Sequence, residues 1–120
     1  MPARRETGGL ERQVLTVLWS SERPLTPAEI LGELGVDLAY TTITTILVRL
    51  CGKGLVDRSP TGRAYAYAAT VTDAELTARR MAGQLEHSGD RSAALAQFVQ
   101  SLTKEEAAAL RRLLAAAATR

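Results

Sequence analysis

The chain has 120 residues, 46% of them hydrophobic and 23% charged, which is typical of one folded domain or of a compact domain with a short appendage. A net charge of only +2, apolar runs of a few residues and a polar start, "MPARRETGG", argue against a strongly basic protein, a membrane span and a secretory signal. The single cysteine excludes an internal disulfide and a thiol-ligated metal site, so we expect a cytoplasmic protein without metal or cofactor.

Positive charge is concentrated in the middle of the chain. Residues 41–63 carry four cations and one anion, a local excess of three positive charges, and Arg4 and Arg5 add a basic arm near the N-terminus. A local cluster of this kind says more about a nucleic-acid partner than the bulk charge does.

Helix-start signals, in which a Thr precedes a Glu by three residues, occur in "LTPAEI", "VTDAEL" and "LTKEEA". Thr26, Thr72 and Thr103 are the predicted N-caps. The spacing of apolar residues predicts an earlier helix from about residue 9 to residue 20, and Gly35 is a natural end for the helix that Thr26 begins. The sequence therefore predicts a mainly α protein.

The stretch "AYTTITTILVRLCGKGLV" is rich in β-branched residues, which favour strands. A strand would mix polar and apolar side chains on both faces, whereas a helix places all four bulky aliphatic side chains on one arc. The opposite arc is then polar except for Val48. We predict a third helix that ends at Gly54, with these residues on its apolar arc: Ile43, Ile46, Leu47 and Leu50.

A small β-hairpin is predicted after this helix, with "LVDRS" and "AYAYAA" as strands, "PTGR" as the turn, and Tyr65 and Tyr67 on one face. Three helices followed by a hairpin are the order of a winged helix-turn-helix domain, assigned here to residues 1–70.

Residues 71–120 read as three more helices, at about 72–86, 90–101 and 103–118. Three short helices cannot bury their own apolar stripes, so we expect a helical dimerisation region packed on a second copy. The predicted dimerisation residues are Leu76, Leu85, Leu95, Phe98, Val99, Leu102, Leu110, Leu113 and Leu114.

The polar arc of the third helix is suited to the DNA major groove. A threonine hydroxyl can bond a phosphate or a base edge while its methyl group packs on the thymine methyl, and an exposed helix N-terminus attracts a phosphate. A merely solvated surface is the plain alternative. The predicted DNA-contacting residues on the helix and the wing are Tyr40, Thr41, Thr42, Thr44, Thr45, Arg49, Arg58 and Arg63.

The segments "GGLERQVLTVLW", "PLTPAEIL", "LAYTTITTILVRL", "KGLVDR" and "GRAYAYAA" resemble successive motifs of the BlaI/MecI/CopY family of bacterial repressors, and the similarity continues through the C-terminal helices. This resemblance implies a homodimer with an N-terminal winged helix and a C-terminal helical dimerisation region, which binds a palindromic operator and represses β-lactamase, resistance or stress genes. The sequence itself contains no nucleophile–base pair and no phosphate-cradling glycine loop, so we expect no enzymatic activity. In the penicillin-responsive members, a membrane sensor triggers proteolysis within the dimerisation region, which releases the operator.

Two departures from the family pattern bear on the inducing signal. The copper-responsive members end in paired Cys-x-Cys motifs, whereas Cys51 is the sole cysteine here, so we do not expect copper sensing. We interpret Cys51 as a packing thiol, with a redox switch as the alternative. The cleavage junction of penicillin-responsive members is Asn-Phe, and the matching position is Gln97-Phe98. Two other interpretations stay open, namely a regulator that senses a small molecule between the C-terminal helices and a winged-helix interaction module without DNA binding.

Overall fold

The computed structural model describes residues 7–35 and 37–119, and the basic arm at Arg4 and Arg5 lies outside them. Three helices and a hairpin come first: α1 (Thr7–Ser20), α2 (Pro27–Leu34), α3 (Tyr40–Gly52), β1 (Val56–Thr61) and β2 (Ala64–Ala69). Three helices follow: α4 (Asp73–Glu86), α5 (Arg91–Gln100) and α6 (Lys104–Ala118). The predicted winged helix-turn-helix fold with a helical C-terminal region is confirmed.

The described residues form two compact units, and the division between them falls after Leu76. The first unit has a closed core built from α1, α2, α3, the hairpin and the start of α4. Its buried residues are Leu10, Val14, Leu15, Leu18, Leu25, Ile30, Ile43, Ile46, Leu47, Leu50, Leu55, Val56, Tyr67, Val71 and Leu76.

This core extends a few residues past the predicted boundary at residue 70. Leu76 is only 4% exposed and packs in the core of its own chain, so its assignment to the dimerisation stripe was wrong. The sequence pattern placed Leu76 correctly on the apolar face of α4, but periodicity does not say which unit that face contacts.

Caps fix both ends of α2 and the end of α3. Thr26 and Glu29 form the predicted capping box, and Gly35 closes α2 in the left-handed region with a φ of 65°. After α3, the N–H groups of Gly54 and Leu55 donate to the carbonyls of Cys51 and Leu50, each at 3.0 Å. Gly54, with a φ of 74°, is therefore the left-handed residue that ends the third helix, as the sequence predicts.

The hairpin is longer than the sequence indicated. Pro60 and Thr61 belong to β1, and Thr61 pairs with Ala64 across a loop of only two residues, so the predicted four-residue turn was wrong. Gly62 opens this loop with a φ of 62°, as a tight hairpin turn requires. Pro60 is tolerated because it faces Tyr65 beside the closing pair, where the ladder needs no donor from it.

The second unit lacks a comparable core among its described residues. Neither α5 nor α6 contains a buried residue, although both begin at well-formed side-chain caps, Asp90 and Thr103. The three helices predicted for residues 71–120 are all present, and α4, the first of them, begins within the first unit. In the part of the chain that the structure describes, no helix has the length and hydropathy needed to span a membrane.

Candidate nucleic-acid interface

The polar face of α3 is open to solvent. Ile43, Leu47 and Leu50 are fully buried behind it and Ile46 is 3% exposed, so the predicted helical arc is confirmed. On the outer side Thr41, Thr45 and Arg49 are exposed, whereas Thr42 and Thr44 are half-buried. Because the aliphatic face is packed in the core, the hydroxyls and the guanidinium are presented together on the surface.

Val48 lies in the middle of this outer face and is 67% exposed. It sits two helical turns after Thr41 and one turn after Thr44 and Thr45, so it continues their line along the helix. The sequence showed it only as an exception to the polar arc. A branched aliphatic side chain at this place gives the face an apolar contact beside its hydroxyls.

Two of the threonine hydroxyls already have an acceptor within the helix. The Oγ1 atoms of Thr44 and Thr45 donate to the Thr41 carbonyl at 3.0 and 2.8 Å. Their protons are thus occupied, and what they offer outward is lone pairs that accept a hydrogen bond. The hydroxyls of Thr41 and Thr42 make no hydrogen bond to any described residue. The face therefore combines acceptors with hydroxyls that can still donate.

The N-terminus of α3 is open as well. Helices α2, α5 and α6 begin with a Thr or Asp side chain bonded to the first turn, whereas α3 begins at Ala39 without a side-chain cap. The amides of Thr42 and Ile43 bond back to the Ala39 carbonyl at 3.0 and 3.3 Å. Tyr40, at the first helical position, is 55% exposed. Such an end presents unpaired amide groups and a positive dipole end to an outside anion.

The wing contributes two exposed arginines. Arg63 lies in the two-residue loop at the hairpin tip, and Arg58 lies on β1 with its guanidinium carbon 4.1 Å from the centre of the Tyr65 ring. Tyr65 is 43% exposed, whereas Tyr67 on the same face is buried, because only the inner half of the hairpin reaches the core. The sequence analysis did not count Tyr65 among the site residues.

Lys53 is a cation of the central cluster that the fold uses for itself. Its Nζ lies 2.7 Å from Oε1 of Glu11 on α1, and the Glu11 side chain is only 7% exposed. This pair ties the end of α3 to α1 and removes Lys53 from the charge available to a ligand. Arg49, Arg58 and Arg63 make no ion pair with a described carboxylate.

Cys51 lies on the inner edge of α3, half-buried against the core. Burial raises the pKa of its thiol above the ordinary value, so the protonated form predominates at neutral pH. This environment fits a packing thiol better than a reactive one. Within residues 7–35 and 37–119, no group of His, Cys, Asp and Glu side chains could hold a metal ion.

Comparison with known proteins identifies the family. The family model described as "Penicillinase repressor" matches residues 7–116. The chain belongs to the penicillinase repressor family. It is 44% identical over 113 residues to the transcriptional regulator BlaI of two Mycobacterium tuberculosis strains, CDC 1551 and H37Rv, covering 90% of this chain and 82% of the relative. This repressor family and its relatives are transcriptional regulators and not enzymes.

Solved structures with a more distant likeness include the oxidised form of MarR from E. coli, at a TM-score of 0.48 and 27% identity. That comparison covers 91% of this chain and 74% of the MarR chain. The family assignment rests on the two sequence matches. The members of the family to which the chain belongs are DNA-binding transcriptional repressors. This disfavours the alternative of an interaction module without DNA binding.

Proposed function

We propose that this repressor binds a palindromic operator as a homodimer, with the outer face of α3 in the major groove and the hairpin against the adjacent DNA backbone. The observation that carries the proposal is the solvent-exposed polar face of α3, held from behind by buried aliphatic side chains. A helix that fills the major groove must present short polar and small apolar groups to the base edges, and the outer face of α3 carries side chains of these kinds.

Phosphate contacts supply most of the affinity in this proposal. Arg49 on α3 and Arg58 and Arg63 on the wing are exposed cations without carboxylate partners among the described residues. The uncapped N-terminus of α3 adds amide donors for a further phosphate. The threonines of α3 then supply sequence preference, because phosphate contacts are the same for every sequence.

Dimerisation is assigned to the second unit. Leu113 is 66% exposed, Leu114 61%, Val99 50%, Leu95 48% and Phe98 41%. Surfaces of this kind on helices without a core are covered in stable proteins, and a second copy of the same chain is the occupant that also explains a palindromic operator. The half-buried Leu85, Leu102 and Leu110 extend these stripes.

The experiment that tests the proposal is fluorescence anisotropy of the full chain with a labelled duplex from the promoter of its own gene. A scrambled duplex of equal length and composition is the matched control. We expect tighter binding to the promoter, and a steep loss of affinity for both duplexes as the salt concentration rises. Equal affinity for the two duplexes at both low and high salt, or no binding to either, would contradict it.

We also propose, from the family resemblance, that proteolysis within the second unit releases the operator. The Gln97–Phe98 peptide bond lies inside α5. A protease that acts there needs α5 to open locally, which helices with few buried contacts do most readily. A membrane sensor and its protease are the partners this route implies, and the repressor itself would act in the cytoplasm. Among the described residues, no observation favours a small-molecule ligand between the C-terminal helices.

A further inference from the structure

Tyr65 and Arg58 form an isolated pair on the wing. The Arg58 guanidinium carbon lies 4.1 Å from the centre of the Tyr65 ring, within the range of a cation–π contact. In the hairpin register Arg58 is opposite Tyr67, and Tyr65 is two residues before Tyr67, so all three side chains share one face of the sheet. Tyr67 is buried in the core, and the pair therefore extends this face outward beyond the core.

The other paired cations described in the first unit are bound by carboxylates. Arg12 bonds Asp73 at 3.0 Å, Arg23 bonds Glu29, and Lys53 bonds Glu11 at 2.7 Å. Arg58 has no carboxylate partner among the described residues, and its guanidinium lies over the Tyr65 ring. A ring binds the flat side of the guanidinium and leaves the N–H groups at its edge free, whereas a carboxylate consumes them.

We propose that Tyr65 is a positioning residue of the wing, which holds the Arg58 guanidinium flat against its ring so that its N–H edge faces a DNA phosphate. This inference rests on the proposed operator binding and adds a residue that acts through Arg58. Restricting a long side chain before binding reduces the entropy that must be lost when the phosphate contact forms. The ring therefore raises affinity for every DNA sequence without reading any base.

The test compares Tyr65→Leu with Tyr65→Phe in the full chain, by anisotropy on the promoter duplex and on its scrambled control. Tyr65→Phe keeps the ring and is expected to bind like the wild type. Tyr65→Leu loses the ring and is expected to bind both duplexes about two- to fivefold more weakly per wing, the fold-change expected from an exposed cation–π contact. Because Tyr65 is exposed, the unfolding temperatures of both variants should stay near that of the wild type.

A double-mutant cycle separates positioning from direct contact. In an Arg58→Ala background the Tyr65→Leu change should cause no further loss, because the guanidinium that the ring holds is already gone. An equal loss in both backgrounds would mean that Tyr65 contacts DNA by itself and would overturn the inference. A loss in Tyr65→Phe as large as that in Tyr65→Leu would overturn it too, since the hydroxyl and not the ring would then be the active group.

A second readout needs no DNA. Ring currents should shift the Arg58 δ-methylene protons upfield in the NMR spectrum of the free protein, in the wild type and in Tyr65→Phe but not in Tyr65→Leu. Absence of this shift from the wild type overturns the stacking. Failure of the wild type to bind either duplex is a failure of the proposed operator binding, and with the ring shift present it removes only the function of the pair and not its geometry.

Discussion

At the scale of single residues, the threonines of α3 divide into two chemical kinds. Thr44 and Thr45 give their hydroxyl protons to the Thr41 carbonyl, so their oxygens are available to a ligand only as acceptors. Acceptors match the amino groups that cytosine and adenine present in the major groove. The sequence analysis treated all these hydroxyls as equivalent, because a sequence shows which side chains share a face but not where each proton goes.

Thr45→Val tests this acceptor role. The change keeps the shape of the side chain and removes the hydroxyl, so the ratio of promoter to scrambled affinity should fall about three- to tenfold, the value of roughly one hydrogen bond. Thr45→Ser, which keeps the hydroxyl, should preserve the ratio. Anisotropy on both duplexes gives the ratio directly. If Thr45→Val weakens binding to both duplexes equally, Thr45 does not read a base.

Arg63 at the hairpin tip is expected to contribute to the affinity for DNA of any sequence and not to sequence preference. It is exposed and unpaired by any described carboxylate, and a phosphate contact there contributes equally on every sequence. Arg63→Ala should weaken binding to promoter and scrambled duplexes alike and lower the slope of log affinity against log salt by about one per protomer. Arg112→Ala, an exposed cation of α6, is the matched control. An unchanged slope in Arg63→Ala would remove this residue from the DNA contacts.

At the scale of the elements, the helix starts were predictable because capping is local. Thr26 with Glu29, and Thr103 with Glu106, lie three residues apart in the sequence and bond as their spacing indicates. The length of the hairpin could not be predicted in this way. The residues "PTGR" are a turn signal by composition, whereas the pairing of Thr61 with Ala64 is decided by the register of the whole ladder.

The candidate interface, too, could be predicted from the sequence only where it depends on a single element. The periodicity of α3 correctly separated buried from exposed positions, since burial follows from one helix alone. The ion pair of Lys53 could not be predicted from the sequence, because its partner Glu11 is remote in sequence and meets it only through packing of α1 against α3. Tyr65 was missed for the same reason: its contact with Arg58 exists only across the two strands.

The cap of α2 should make stability depend on pH. The hydrogen bond from Arg23, together with the Thr26 amide, lowers the pKa of Glu29 from its ordinary 4.5 to about 2. As the pH falls below 4.5 the unfolded chain takes up this proton first, so the stabilisation present at neutral pH is lost progressively down to about pH 2. Glu29→Gln should therefore show a smaller drop in unfolding temperature over this window than the wild type does.

The carboxamide that Glu29→Gln introduces can still accept from the Thr26 amide, so the cap survives while the charge is removed. Glu33→Gln, which changes an exposed carboxylate on the same helix without an ion pair among the described residues, is the control and should retain the pH dependence of the wild type. Parallel curves for Glu29→Gln and the wild type between pH 4.5 and pH 2 would show that the Glu29 charge has no effect on folding.

At the scale of the whole molecule, the two units differ in how they are stabilised. The first closes its own core around side chains such as Leu15, Ile30 and Leu47, which are fully buried. The second presents its largest apolar side chains to solvent. In the proposed homodimer the second unit is covered by a second copy and the first unit is not, so the two parts should respond differently to a change that blocks association.

Leu113→Asp on α6 should dissociate the dimer while leaving the first unit folded. Leu113 is 66% exposed within one chain, and its burial against a partner is worth about 1.5–3 kcal/mol per copy. A charge at both copies also adds an unpaired buried carboxylate, so the dimer dissociation constant should rise at least about a hundredfold. Sedimentation velocity over a range of protein concentrations measures the change, with Arg112→Ala as a control on the same helix.

Trp19 provides the matching signal for the first unit. Its Nε1 donates to the Val71 carbonyl at 2.8 Å, and both residues lie in the first unit. Trp19 fluorescence therefore reports unfolding of the first unit, whereas Leu113 lies in the second. The Leu113→Asp chain should retain this fluorescence and bind promoter DNA only weakly, since one protomer reaches a single half-site. A variant that sediments like the wild type would show that Leu113 lies outside the interface, and loss of the Trp19 signal would show that the first unit cannot fold without the dimer.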